Sequence, residues 1–173
     1  MKRNPQVLVT ADQHFFHNNI IKFSERPFKD REEMHSVLIK KWNAAVMPED
    51  VIYILGDFSF GSYNQTMSII YQLNGNKKFI PGGHDSWINN KARNNQDIEI
   101  TKDILEVKYM GKEKELWFIF CHYPIEEWNK KHYGSIHLHG HSHGNLKRIV
   151  ENRYDIGVDT NNFYPYFLKD FIK

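Results

Sequence analysis

Five short apolar runs each end in aspartate or histidine, and that repetition limits the fold more than any other feature of the chain. QVLVTA (6–11) leads into Asp12 and His14, and DVIYILG (50–56) into Asp57. KKFIP (77–81) leads through Gly82 and Gly83 into His84 and Asp85. KELWFIFC (114–121) leads into His122, and SIHLHG (135–140) into His141 and His143. Short apolar runs bounded by turn residues read as buried strands. In α/β sheets, side chains from several strands converge beyond the carboxyl ends on one rigid base, which is where sites gather. The chain is therefore expected to be a sheet protein whose strand tips meet.

The intervening segments carry helical periodicity. REEMHSVLIKKWNAAV (31–46) sets Met34, Val37, Leu38, Lys41 (through its stem), Trp42 and Ala45 on one side. Asp30 is its expected N-cap, with Glu33 three positions on. YNQTMSIIYQL (63–73) reads as a helix stopped by the turn NGN, and DSWINNKAR (85–93) as a short helix. In the second half, DILEVKYM (103–110) and KELWFIFC suggest a hairpin joined through GKE (111–113). NRYDIGVD (152–159) adds a strand, and YFLKDFI (166–172) a closing helix. Strands alternating with helices, followed by strands in succession, predict a layered α/β sandwich with mixed sheets. No repeat or linker divides the 173 residues, so a single domain, 1–173, is expected. A chain of this size buries roughly two-thirds of its unfolded surface.

Composition narrows the function. Lys and Arg number 23 against 21 Asp and Glu, so no broad positive field marks long nucleic acid or an anionic membrane as partner. The single cysteine, Cys121, excludes an intramolecular disulfide and a cysteine-based zinc site. The apolar run in MKRNPQVLVTADQ is too short for a signal peptide, no run is long enough to span a membrane, and the chain reads as cytoplasmic. Nothing in the sequence fixes an oligomeric state.

What remains distinctive is Asp and His at the strand tips. Imidazole nitrogens and carboxylate oxygens suit divalent transition ions, and soft thiolates are absent. Six candidates, Asp12, His14, Asp57, His122, His141 and His143, are too many for one four-coordinate ion with an open position. They suit two ions about 3.5–4 Å apart sharing a carboxylate.

In order along the chain, D-x-H, G-D, a G-x-H-D tip, an isolated His after a strand and G-H-x-H resemble the calcineurin-like metallophosphoesterase family. HNNIIKFSERPF, HLHGHSHG and GVDTNNFYP resemble a small, uncapped bacterial or phage-type branch of it. The resemblance runs from Asp12 to His143. It implies a four-layer αββα sandwich with two mixed β-sheets. It also implies that Asp12, His14 and His143 bind one metal, that His122 and His141 bind the other, and that Asp57 bridges both. Manganese or iron would be the first expectation, with zinc, nickel or magnesium as alternatives. The implied reaction is hydrolysis of a phosphate ester by a metal-activated hydroxide, the substrate being a small molecule such as a phosphodiester or a linear or cyclic nucleotide. His84 would stabilise or protonate the leaving oxygen, with Asp85 orienting its ring.

The family's asparagine falls at position 83, where this chain has Gly83. Water in its place, a naturally impaired relative and an engineered change are all compatible with the sequence. So are a non-catalytic scaffold of the same fold and a nuclease subunit of a larger machine. His17, Arg26, Tyr123 and Lys131 lie in loops after ligand-bearing tips and are candidate substrate contacts; the alternative is a cap on the NNIIKF helix for His17, loop packing for Tyr123 and solvated surface charge for Arg26 and Lys131. His137 and His139 are assigned to packing or to hydrogen bonds behind the ligands. GVDTNNFYP is expected to pack beneath the site without direct chemistry.

Overall fold

The computed structural model describes residues 3–110 and 115–172. In chain order the elements are β1 (Val7–Thr10), α1 (Ile20–Phe23), α2 (Arg31–Ala45), β2 (Val51–Leu55), α3 (Tyr63–Ile70), β3 (Asn76–Ile80) and α4 (Asn90–Arg93). There follow β4 (Glu99–Ile100), β5 (Ile104–Met110), β6 (Glu115–Cys121), β7 (Ile136–His139), β8 (Arg153–Asp155) and β9 (Tyr166–Phe167). Two sheets result, ordered β4-β3-β2-β1-β9 and β5-β6-β7-β8. Both are mixed: β1 to β4 run parallel with β9 antiparallel, and β5 runs antiparallel to the parallel set β6, β7 and β8.

Alternation along the strands explains the layering, because successive side chains point to opposite faces. Leu8, Ile52, Ile54 and Phe79 face the helices and pack with Met34, Leu38 and Trp42 of α2 and Met67 and Ile70 of α3. Val9, Leu55 and Ile80 face the other way and meet Phe118, Phe120 and Leu138 of the second sheet. Each such buried side chain contributes roughly 1.5–3 kcal/mol. Helix α2 begins as its sequence requires, with the Asp30 carboxylate accepting the Glu33 N–H at 2.8 Å. Helix α3 begins with a capping box between Ser62 and Gln65.

Several sequence expectations need correction. The outer helical layer of an αββα sandwich is absent among the described residues, where no α-helix follows α4. That face of the second sheet is instead packed by loop residues, with Trp128 against His137 at 5.3 Å between ring centroids. The closing helix is β9 followed by a 3-10 turn over Leu168–Phe171. There Leu168 inserts between the sheets while Tyr166 and Phe167 pair with β1, and seven residues are too few for periodicity to separate the two patterns. DSWINNKAR is helical only over Asn90–Arg93, because the Asn89 side chain caps at that point. NRYDIGVD is a strand only to Asp155 and then a 3-10 turn, Val158–Thr160. Strand β4 was not anticipated. The GKE turn lies outside the described residues. No helix among them is long and apolar enough to cross a membrane.

Candidate metal centre

The strand tips stay paired after the strands end, which brings the candidate residues together. Asp12 N–H donates to Gly56 O (3.1 Å), His14 N–H to Asp57 O (3.0 Å) and Phe15 N–H to Phe58 O (2.9 Å), carrying the β1 and β2 loops side by side. In the second sheet, Gly140 N–H donates to His122 O (3.0 Å) and joins the tips of β6 and β7. The two sheets touch at this edge. A Cβ on Gly140 would lie 2.6 Å from Ala11 Cβ and 2.7 Å from Asp12 Oδ2, so only glycine fits. A Cβ on Gly82 would collide with the backbone nitrogen and Oδ1 of Asp57.

Two groups of ligand atoms result, each within 4.8 Å: Asp12, His14 and His143, and Asp57, His122 and His141. Asp57 stands between them. Its Oδ2 lies 3.4 Å from His122 Nε2 and 3.8 Å from His14 Nε2. Neither contact has hydrogen-bonding geometry, and both imidazole nitrogens are buried without a hydrogen-bond partner among the described residues. The tautomer at His122 is fixed from behind, where Nδ1–H donates to Leu55 O at 2.9 Å and leaves the Nε2 lone pair facing the cluster.

The backbone here is strained. Asp12, His14, Asp57, His141 and His143 all have φ between 47° and 68°. This left-handed region costs a non-glycine residue about 1–2 kcal/mol. Five of six candidate ligands sharing it means that packing holds them in place against local preference.

Electrostatics follows burial and pairing. Burial pushes Asp12 up to about 7, against the pull of His143 and His122, and pushes His14 down to about 2. Burial also opposes charge on Asp57, but His122 and the His84 N–H outweigh it and hold the carboxyl well below its usual range. Burial likewise opposes charge on His143, where the Asp159 carboxylate outweighs it and raises the imidazole.

That carboxylate was missed in the sequence. Asp159 accepts from His143 Nδ1–H at 2.7 Å and takes Arg26 Nε and Nη2 at 2.7 and 2.8 Å. Asp159 follows a strand-like run, as the other site carboxylates do, and that was the available signal. Arg26 is correspondingly not a substrate contact. Its buried guanidinium also donates to the carbonyls of Asp12 (2.7 Å) and Gln13 (3.0 Å), bracing the first loop from beneath.

Asp85 needs the same correction. Its carboxylate accepts N–H groups from Phe58, Ser59, Gly82 and the Trp87 indole at 2.9–3.1 Å, and it shows no hydrogen bond to the His84 ring. A buried carboxylate takes the nearest donors, so Asp85 fixes the loop. His84 itself is on the open side, 55% exposed, with Nε2 3.9 Å from Asp57 Oδ2. Its backbone N–H donates to Asp57 Oδ1 at 2.9 Å. Phe60, also missed, is sandwiched between His84 (centroids 4.5 Å) and His17 (4.0 Å). No sequence signal marked that aromatic. His17 therefore belongs to the rim and does not cap α1, whose N-cap is Asn19.

Tyr123 packs edge-on against His122 and His141. Lys131 is tied within its own loop, to Glu127 at 2.8 Å and over the Trp128 ring at 4.8 Å, and is not part of the cluster. His137 and His139 sit behind the ligands as expected, bonded to backbone carbonyls. A surface concavity of about 460 Å³ lined by Ser62, Tyr63, Asn89 and Lys91 contains none of the six candidate ligands.

Fold and site together define a two-sheet α/β protein that gathers aspartate and histidine where the sheets meet. The chain is 34% identical over 176 residues to the uncharacterized protein MJ1445 of Methanocaldococcus jannaschii, covering 97% of this chain and 90% of that one, and it belongs to the same family. Gene 66 protein of Mycobacterium phage L5 is 24% identical over 177 residues, covering 87% of this chain and 85% of its own length. Among solved structures, a protein of unknown function from Aquifex aeolicus, AQ665, superposes with a TM-score of 0.72 at 22% identity, over 96% of this chain and 97% of that one. At that identity the likeness speaks for the fold alone. No protein-family model matches the chain.

Proposed function

We propose that this chain is a metal-dependent phosphoesterase of metallophosphoesterase-like fold, acting on a phosphodiester or a small nucleotide with two divalent cations. The position of Asp57 carries the reading: a member of one ligand group, it lies 3.8 Å from His14 of the other, as a shared carboxylate must. The donor set fits. The buried, unpartnered Nε2 atoms of His14 and His122 would each cost about 1–3 kcal/mol unless something takes their lone pairs. Mixed nitrogen and oxygen donors favour manganese or iron, with zinc, nickel and magnesium as alternatives.

Asp12, His14 and His143 would hold one cation, His122 and His141 the other, and Asp57 both. Bound there, the pair supplies charge neutralisation for phosphoryl oxygens and a water acidified enough to attack. The residues do the rest. Asp159 and Leu55 O fix the tautomers of His143 and His122 by accepting their Nδ1 protons. His84, held by Phe60, presents Nε2 on the open side, where it donates to the leaving oxygen. The near-balance of 23 basic and 21 acidic residues favours a small substrate over long nucleic acid.

The test is hydrolysis of bis(p-nitrophenyl) phosphate with added manganese. Turnover should require the metal, vanish in Asp57→Asn and fall about 10²–10⁴-fold in His84→Ala. Metal uptake without turnover would favour the scaffold. Degradation of DNA but not of small diesters would favour the nuclease.

A further inference from the structure

The resemblance places an asparagine ligand at position 83, and Gly83 offers no side chain. The space is nonetheless taken. A Cβ built on Gly83 would lie 2.9 Å from the Tyr123 hydroxyl oxygen, so the phenol stands where a residue-83 side chain would begin. The same tyrosine ring packs edge-on against both histidines of the second group, at 4.7 Å from His122 (73° between planes) and 4.8 Å from His141 (64°). Its oxygen is thus carried beside the loop that wraps Asp57, where His84 N–H bonds Asp57 Oδ1.

The placement is anchored from behind. Buried His137 donates Nδ1–H to Ile119 O (2.9 Å) and accepts Ile125 N–H at Nε2 (3.2 Å), pinning the segment that carries Tyr123. The tyrosine as a whole is 46% exposed, so its side chain is not locked in by packing on every side. An asparagine would supply one neutral oxygen to the second cation, and a phenol hydroxyl beside the position-83 Cβ offers a neutral oxygen as well.

We infer that Tyr123 replaces the missing residue-83 side chain, its hydroxyl serving as the neutral oxygen donor that completes the Asp57–His122–His141 group. The inference rests on the two-cation reading above. Gly83 and Tyr123 are then one exchange, glycine making room for the phenol, and Gly83 does not disable the centre. Restoring asparagine alone would set its Cβ 2.9 Å from the hydroxyl, so one oxygen donor would displace the other with no net gain.

Manganese binding by titration calorimetry, with metal content after desalting, separates the possibilities in four proteins: wild type, Tyr123→Phe, Gly83→Asn and the double variant. The wild type should bind two manganese ions. Tyr123→Phe, which keeps the ring, should weaken one site by about 10-fold or more and spare the other, with an unchanged denaturation midpoint as the folding control. Gly83→Asn should bind no tighter than wild type. The double variant should regain the lost site, because asparagine then has both the space and the role. Two sites of unaltered affinity in Tyr123→Phe, or a double variant no better than Tyr123→Phe, overturn the inference while leaving the two-cation reading intact. A wild-type chain that takes up no manganese overturns that reading, and the inference with it.

Discussion

Changing Asp159 to asparagine tests how the centre is held, because one carboxylate serves both Arg26 and His143. The Arg26 side chain is fully buried and Asp159 is 9% exposed, so the pair is scarcely screened by solvent. Removing one partner of a buried pair costs about 3–5 kcal/mol, largely for the charge left behind. Asparagine keeps an acceptor oxygen, and Arg26 keeps two carbonyls, so the lower end, about 3 kcal/mol, is expected at pH 7. The sign follows from Asp159 itself: burial pushes its carboxyl up, but His143 and Arg26 outweigh this and hold it below the usual range. Its contribution is therefore full above about pH 4, its unfolded value, and disappears as pH falls through the depressed folded value. Urea denaturation should show the variant about 3 kcal/mol less stable at pH 7, with the gap closing in acid. Manganese affinity should drop about 10–100-fold as His143 loses its orientation. A variant within about 0.5 kcal/mol of wild type at pH 7, the ordinary surface range, would refute the reasoning.

Three other substitutions, one of them a control, have definite outcomes. Burial pushes His137 down to about 4, so between pH 6.5 and 4 the unfolded chain binds a proton that the folded chain refuses. Stability is full above pH 6.5 and falls as pH drops, by about 2 kcal/mol at pH 5. His137→Gln should flatten that slope in melts compared at pH 7 and pH 5. Gly82→Ala should cost about 3 kcal/mol or more and abolish manganese uptake, because its Cβ collides with Asp57 backbone. Gly134→Ala is the control: nothing lies within 4 Å of its Cβ, and φ is +82°. It should lose only the strain of that angle, about 1–2 kcal/mol by denaturation.

That these aspartates and histidines meet was legible in the sequence where chemistry and strand ends coincide. Asp12, Asp57, His122, His141 and His143 each follow an apolar run, and the tips of parallel strands lie side by side. Residues that act through others left weaker traces. Phe60 matters only because the fold sets His17 and His84 on its two faces, a relation between three loops that no local pattern expresses. Asp85 was misread because adjacency to His84 suggested contact, whereas its side chain turns inward to four N–H groups. Arg26 looked like a solvated loop cation, and only the fold brings Asp159, 133 positions on, to its guanidinium. The layering was overread in the second half, where loops cover a face that a helix was expected to shield.

Each ligand group draws on both sheets: Asp12 and His14 from the first with His143 from the second, and Asp57 from the first with His122 and His141 from the second. A cation in either group would act as a rivet through the seam between the layers, beside the hydrogen bonds that already cross it, such as His122 to Leu55 O and His141 N–H to the Asp12 carboxylate. Sliding one sheet over the other would pull both rivets at once. Loading the protein with metal should therefore stiffen it most along the axis in which a two-layer sandwich is softest.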